Sequence, residues 1–161
     1  MLFVSCNVNN DKIQTVALVA PIGFKGNIII FFEQDTSIGD IRLMNGKHYF
    51  FVKNDGIFFT RLPIGNGSIE NYIKSKDGLM RVYYKSPMTI SQAEDTSYQV
   101  VGGSYRGITH SRIGKSDAKS IMFLSFRAGL AKDIKSNWEL DDSIVNNIYL
   151  TKVTVSGSTG R

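Results

Sequence analysis

Short apolar runs separated by turn-forming residues dominate the pattern of this chain. Residues 28–32, 49–52 and 57–60 are rich in β-branched and aromatic side chains, and glycine, asparagine and aspartate lie between them. Runs with such boundaries are typical of β-strands. We therefore predict that these three segments form an antiparallel sheet at the centre of the protein. Residues 28–32 are almost continuously apolar, which predicts burial on both faces.

A hairpin is predicted at the dipeptide Asn45-Gly46. Ile41 and Leu43 precede it, and His48 follows it with the same period-two spacing. A type I′ turn needs a positive φ at both central residues, which asparagine and glycine tolerate. We expect His48 to be a half-exposed strand residue. The Lys-Asn-Asp-Gly segment at 53–56 predicts a second turn of similar chemistry.

Further strands are predicted on both sides of this centre. A strand over residues 13–20 ends at Pro21, because proline cannot donate a ladder hydrogen bond, and glycines at 23 and 26 permit a tight turn after it. Residues 79–84 alternate as a strand does, and residues 98–101 predict a short strand that ends at Gly102-Gly103. Residues 121–126 predict a core strand.

The remaining segments are less regular. Residues 61–76 fit either a single helical turn or a surface loop, and residues 127–137 fit a loop or a short helix. Near the end we expect a brief helical turn that runs into a final strand over 149–155, followed by a flexible tail at 156–161. The whole pattern predicts a mostly β protein, an antiparallel β-sandwich of about seven to nine strands with one or two short helical turns.

Composition narrows the class of protein. The 161 residues, 42% of them hydrophobic, suit one domain, which we place at residues 13–155. No run approaches the length of about eighteen apolar residues that a membrane-spanning helix needs. Cys6 is the single cysteine and there are two histidines, so this sequence offers no intrachain disulfide and lacks the ligands of a Cys/His zinc site. We predict no metal and no cofactor.

The first twelve residues suggest a lipid anchor. Phe3-Val4-Ser5-Cys6 resembles a bacterial lipobox, which is cleaved before the cysteine that is then acylated, and a polar stretch at residues 7–12 suits a tether. Five residues before Cys6 are fewer than the charged and apolar regions of a signal peptide need, so we interpret residues 1–12 as a signal-peptide remnant with its tether. The alternative is a short strand that buries a free thiol.

Turn and strand motifs between residues 19 and 84 resemble a known family. They are Pro21-Ile22-Gly23-Phe24-Lys25-Gly26, then Gly46-Lys47 with Tyr49 and Val52, then Asp55-Gly56-Ile57 with Thr60. The motifs are similar to those of small bacterial lipoproteins that are known only as a domain of unknown function. The order and spacing of these motifs also look like those of transthyretin-like and carboxypeptidase-regulatory-like β-sandwiches. The resemblance implies a secreted, lipid-anchored sandwich and brings no catalytic residue with it.

A basic, glycine-spaced segment at residues 102–119 is the candidate binding surface. We expect a long loop there, and long loops in compact domains are often functional. Its four cations face one aspartate, and the candidate binding residues within it are Tyr105, Arg106, His110 and Arg112. A catalytic triad built on His110 and Ser111 is rejected, because sequence neighbours rarely meet in triad geometry and no nucleophile elbow is present.

The function predicted from these patterns is that of a non-enzymatic cell-envelope lipoprotein that acts as a binding or structural module. Its expected partners are the membrane, through the lipid on Cys6, and a protein or glycan, with no nucleic acid. Carbohydrate binding by Tyr105 and Trp138 is one variant of this interpretation. The alternative is an immunity-type interaction domain that recognises one partner through residues 102–119.

Overall fold

The computed structural model describes residues 15–53, 55–64, 67–82, 97–110, 119–134 and 140–158. Within these residues the chain forms nine strands, one α-helix and one short 3₁₀ turn. The strands are β1 Val16–Pro21, β2 Gly26–Phe31, β3 Asp40–Met44, β4 Lys47–Phe51, β5 Ile57–Phe59, β6 Ile69–Ser75, β7 Gly78–Val82, β8 Tyr98–His110 and β9 Lys119–Leu130. The 3₁₀ turn is Ala131–Asp133, and helix α1 is Asp142–Ser158.

The strands form two sheets. Sheet A has the order β3-β4-β1-β6-β7, and sheet B has the order β5-β2-β9-β8. The prediction of a mostly β protein with seven to nine strands is confirmed. The sheets are mixed and not antiparallel throughout, because β1 pairs in parallel with β4 and β6, and β2 pairs in parallel with β5.

The predicted central sheet of three segments is wrong in its pairing. β2 and β5 lie in sheet B, whereas β4 lies in sheet A. The turn after β4 therefore passes from one sheet to the other. Gly56 has a φ of 63°, and a Cβ there would collide with the carbonyl oxygen of Asn27. Because the Gly56 carbonyl also accepts a hydrogen bond of 2.9 Å from the Ile29 N–H, the turn is held against β2.

The predicted Asn45-Gly46 hairpin is confirmed. β3 and β4 pair antiparallel around this turn, and Met44 lies opposite Lys47. The φ angles are 51° at Asn45 and 73° at Gly46, so both central residues adopt the left-handed conformation that a type I′ turn requires. The hairpin therefore lies at the end of sheet A where β4 begins.

The main core lies between the two sheets. Its fully or nearly fully buried members come from both layers, and they are Val16, Leu18, Ala20, Ile28, Ile30, Phe32, Phe50, Val52, Phe58, Val100, Leu124, Phe126 and Ala128. Residues 28–32, 49–52 and 121–126, all predicted as strands, contribute to it. The protein is therefore held together by apolar burial between layers, as a sandwich is.

A second core lies on the outer side of sheet B, where α1 packs. Ile29, Phe31, Phe59, Ile121 and Phe123 are buried there together with Val145 of the helix. Strand β2 is thus covered on both faces, by sheet A and by α1. This double burial explains its continuous apolar sequence.

The predicted final strand at 149–155 is wrong, because these residues belong to α1. The spacing of Val145, Ile148 and Tyr149 places these three side chains on one side of a helix, and all three pack in the second core. The hydroxyl of Thr151 donates to the carbonyl of Asn147, four residues earlier, as helical residues allow. The helix extends to Ser158, three residues into the segment predicted as tail. No helix among the described residues is both long and apolar enough to span a membrane.

Three other segments predicted as loops are at least partly strands. β6 occupies part of the 61–76 segment, for which a helical turn or a loop was expected, and buried Asn71 conceals its period-two pattern. β8 does not end at Gly102-Gly103; it continues to His110 through a register shift between Gly102 and Tyr105. β9 likewise extends to Leu130, into the predicted loop at 127–137.

Candidate functional site

The residues predicted to bind are distributed over several places. Cys6, Arg112 and Trp138 lie outside the described residues. Tyr105, Arg106 and His110 belong to strand β8, so the predicted loop at 102–119 is wrong for residues 102–110.

These three positions belong to one strand. Tyr105 pairs with Leu124, Arg106 with Phe123 and His110 with Lys119. The structure therefore does not place the predicted residues in a binding loop.

A different set of side chains meets on the outer face of sheet A, the face turned away from sheet B. Alternation along β4 places Lys47, Tyr49 and Phe51 on this face, because Phe50 between them is buried in the main core. Alternation along β6 does the same for Glu70, Tyr72 and Lys74, since Asn71 and Ile73 are buried. We call this surface the ring face; Arg42 of β3 and Arg81 of β7 complete it.

The rings converge over the central strand of the sheet. β4 and β6 lie on either side of β1, yet the ring centroids of Tyr49 and Tyr72 are only 6.5 Å apart. Tyr49 pairs with Ala17 of β1 and Tyr72 pairs with Val19, and both of these β1 residues are buried. Phe51 extends the row, with its ring 6.3 Å from that of Tyr49 and tilted by only 23°.

A carboxylate lies beside the rings. Glu70 accepts hydrogen bonds from the Lys47 ammonium and, at 2.7 Å, from the Tyr72 hydroxyl, and the guanidinium of Arg81 is 3.7 Å away. The hydrogen bond from Lys47, helped by the one from Tyr72, lowers the pKa of Glu70. The same carboxylate raises the pKa of Lys47 and of Tyr72, so Glu70 is ionised and Lys47 is charged at neutral pH.

Cations surround the third ring. The guanidinium carbon of Arg42 lies 4.7 Å from the centre of the Phe51 ring, and the ammonium of Lys74 lies 6.0 Å from it. Arg42 also forms two hydrogen bonds of 2.8 Å with Asp40. With Lys47 and Arg81 included, four cations face the two carboxylates of Asp40 and Glu70, which gives the ring face a net charge of +2.

This face combines flat apolar surfaces with an excess of positive charge. Half-buried rings offer flat apolar surfaces, and cations at their edges attract anionic groups. The carboxylate of Glu70 is already engaged by its neighbours and supports the geometry. Among the described residues, no group of three or more histidine, cysteine, aspartate or glutamate side chains could hold a metal ion.

Sequence reasoning missed this face for a local reason. The sequence predicts a central strand at Tyr49 and a helical turn or loop at Tyr72, so it does not place the two in one sheet. The available signal was the alternation of charged and aromatic residues in Lys47-His48-Tyr49-Phe50-Phe51 and in Glu70-Asn71-Tyr72. Their meeting depends on β1 lying between β4 and β6, which neither segment reveals alone.

Comparisons with known proteins give limited support. No family model matches the chain, and no curated protein matches it. One solved structure is similar, a crystal structure named "Putative Lipoprotein from Bacillus anthracis", at a TM-score of 0.47 and 12% identity over 80% of each chain. A likeness of this size does not transfer the neighbour's description to this chain. The lipoprotein and transthyretin-like resemblances therefore stay predictions.

Proposed function

We propose that this protein is a lipid-anchored component of the bacterial cell envelope whose sandwich domain is a non-enzymatic binding module. The observation that carries the binding role is the ring face, where three aromatic rings and four cations occupy one side of sheet A. The helix of the described structure packs on sheet B, and the three rings of the ring face are half-buried. Arg42, Lys74 and Arg81 are exposed at its margins.

The anchoring part of the proposal rests on the sequence at Cys6. The small residue Ser5 directly precedes Cys6, and the apolar residues Phe3 and Val4 precede Ser5. A polar stretch at residues 7–12 follows the cysteine. Acyl chains contribute about 0.8 kcal/mol for each buried methylene, and stable anchoring takes more than one membrane-binding signal, so a multiply acylated cysteine would hold the domain at a bilayer.

The ligand that best matches the ring face is an acidic glycan. Sugar rings present flat apolar C–H faces that pack against aromatic side chains, and carboxylate or phosphate substituents would meet the surrounding cations. The net charge of the face favours anionic over neutral polymers. The immunity-type alternative depended on a loop at 102–119, and no described feature favours it now that residues 102–110 form a strand.

Anchoring is tested by mass spectrometry of the full-length product expressed in a bacterium. We expect a mature N-terminus at Cys6 that carries acyl chains, and recovery of the protein in the membrane fraction. The Cys6→Ser variant should lack the added mass and leave that fraction. An unmodified wild-type Cys6 would contradict the anchor.

Binding is tested by titrating the protein with an acidic polysaccharide, polygalacturonate, and with neutral dextran. We expect measurable affinity for the acidic polymer alone, and a loss of roughly fivefold to tenfold in Lys74→Glu because a favourable charge becomes a repulsive one. The matched control is Lys132→Glu, which makes the same charge change in the 3₁₀ turn next to sheet B. Equal losses in both variants, or tighter binding of single-stranded DNA than of either polysaccharide, would contradict the glycan assignment.

A further inference from the structure

The charged side chains of the ring face form two groups that differ in how the cations are paired. In the first group, Glu70 accepts a hydrogen bond from Lys47 and lies 3.7 Å from the guanidinium of Arg81. The side chains of Lys47 and Glu70 are only 24% and 17% exposed. Because one carboxylate contacts both cations, this first group is engaged within the protein.

The second group lies around Phe51 and has three cations for one carboxylate. Arg42 lies over this ring and donates hydrogen bonds of 2.8 Å to both oxygens of Asp40. The ammonium of Lys74 is 6.0 Å from the centre of the same ring, and Lys53 follows β4. The hydrogen bond from Arg42 lowers the pKa of Asp40 most, and the charges of the two lysines lower it further, so both ammonium groups lie near this carboxylate.

The two lysines of the second group are available to a ligand. Both are exposed, and within the part of the chain that the structure describes neither Lys53 nor Lys74 forms an ion pair. A lysine ammonium has three rotatable donors on a flexible stem, so an unpaired lysine adapts to an incoming anion. The guanidinium of Arg42, in contrast, is already fitted to Asp40.

Strand register brings these lysines to either side of one residue. Lys74 lies opposite Pro21 at the end of β1. On the other side of β1, Phe51 lies opposite Val19, and the backbone hydrogen bonding continues one residue beyond β4. Continuing this register places Lys53 beside Pro21. Since neighbouring strands are about 4.8 Å apart, the Cα atoms of the two lysines are about 10 Å apart, and one anionic group between them is within reach of both side chains.

The row of rings leads away from these lysines towards the first group. The ring of Phe51 is 6.3 Å from that of Tyr49, which is 6.5 Å from that of Tyr72. The hydroxyl of Tyr72 donates to Glu70 of the first group. One end of the row is therefore bordered by unpaired cations, whereas the other end is bordered by cations that a carboxylate engages.

We infer that Lys53 and Lys74 form an anion subsite at the edge of the Phe51 ring, which binds the acidic substituent of the ligand. The rings of Tyr49 and Tyr72 contact an uncharged part of the same ligand. This inference rests on the proposed function, because it specifies which part of the ring face recognises the acidic group. A ligand with an acidic group at one end is bound in one direction along the row.

The first test follows the backbone amide chemical shifts of the full-length chain by NMR during titration with inorganic phosphate and, separately, with galacturonate. We expect saturable shifts at residues 51, 53 and 74, and smaller ones at 47 and 70. The anion that saturates at the lower concentration identifies phosphate or carboxylate as the preferred group. Galactose, the neutral counterpart of galacturonate, should leave residues 53 and 74 unshifted. Equal shifts in the two charged groups, or no saturable shift with either anion, would overturn the subsite.

The second test removes the two charges. Lys53→Gln with Lys74→Gln should weaken binding of the preferred anion and of polygalacturonate by about tenfold, because two favourable charges are lost. Lys25→Gln with Lys132→Gln is the matched control, since it removes two charges beside the 3₁₀ turn and should bind as the wild type does. All four lysines are exposed, so neither double variant removes core packing.

The outcomes separate this inference from the proposed function. Polygalacturonate binding that is unchanged in the double variant at 53 and 74 would overturn the inference and leave glycan binding in place. Saturable anion shifts at these residues without any binding of polygalacturonate would support the subsite and overturn the glycan assignment. Equal losses in both double variants would overturn the subsite, because net charge alone would then explain the binding.

Discussion

The outer faces of the two sheets differ in what covers them. On sheet B, Phe31, Phe59 and Phe123 are at most 1% exposed because α1 packs over them. On sheet A, the ring face is half-buried, and charged side chains surround its rings. Both faces are rich in aromatic residues, so composition alone does not distinguish them. The difference shows that an aromatic face is fully buried where a helix packs over it and stays partly exposed where charged side chains border it.

The largest expected effect comes from one phenylalanine on each outer face. Phe31→Ala removes a ring that lies 4.8 Å from Phe59 and 5.2 Å from Tyr149, and should lower the free energy of unfolding by about 3–5 kcal/mol. Phe51→Ala on the ring face should cost about 1–2 kcal/mol, because less apolar area is lost. Urea unfolding of both variants measures the difference. Equal losses in the free energy of unfolding would contradict the distinction between a buried face on sheet B and a partly exposed face on sheet A.

A smaller effect is expected from the tyrosine hydroxyls on the two faces. Tyr149 donates to the side-chain oxygen of buried Gln34 at 3.0 Å, so Tyr149→Phe deprives a buried acceptor and should cost about 1–2 kcal/mol. Tyr72→Phe should cost less than about 1 kcal/mol, because Glu70 keeps Lys47 and contact with water. Thermal unfolding of both variants measures the two losses of stability. A larger loss of stability in Tyr72→Phe than in Tyr149→Phe would contradict the conclusion that the face of sheet B is the more deeply buried one.

Acid should weaken the ring face through Glu70. The carboxyl pKa is lowered in the folded protein from its ordinary value of 4.5, chiefly by the hydrogen bond from Lys47. A group whose folded pKa is lowered stabilises the fold above its unfolded pKa, and this stability is lost as pH falls through the folded pKa. Glu70→Gln should therefore destabilise the protein by about 1 kcal/mol near neutral pH.

The difference between Glu70→Gln and the wild type should shrink as pH falls from the ordinary carboxyl pKa of 4.5 through the lower folded pKa, because the folded wild-type carboxyl becomes neutral only there. Urea unfolding at several pH values measures this convergence. A difference that stays constant down to strongly acidic pH would mean that the carboxylate charge does not stabilise the sheet.

The smallest effect on stability is expected at Lys74. This side chain is exposed at the edge of the ring face, so Lys74→Glu should change the free energy of unfolding by less than about 0.5 kcal/mol. Chemical unfolding checks that its expected loss of polysaccharide binding is not a folding defect. A loss of several kcal/mol would place Lys74 among the structural residues of sheet A.

Several elements were predictable because their signals are local. The apolar runs of β2 and β9, Pro21 at the end of β1, and the Asn45-Gly46 turn each depend on side chains and dihedral preferences within a few residues. Helix α1 was missed because Tyr149, Thr151, Val153 and Val155 also alternate as a strand does. Packing of Val145 and Tyr149 against sheet B decided in favour of the helix.

The candidate site was less predictable than the strands. Tyr49 and Tyr72 are 23 positions apart in the sequence and on strands that never pair with each other. The predicted binding residues at 105, 106 and 110 depended on a loop, and the long β8–β9 pairing replaced that loop with a strand.

The sequence by itself determined that the protein is mostly β, where its tightest turn lies and which runs are buried, because these properties follow from short-range sterics and from the preference of apolar side chains for an interior. Only the tertiary structure decided which strands are neighbours, that β4 and β5 belong to different sheets, and which aromatic face α1 seals. Those choices arise from contacts between residues far apart in the chain, where many pairings satisfy the same local pattern and the packing of the whole core selects one.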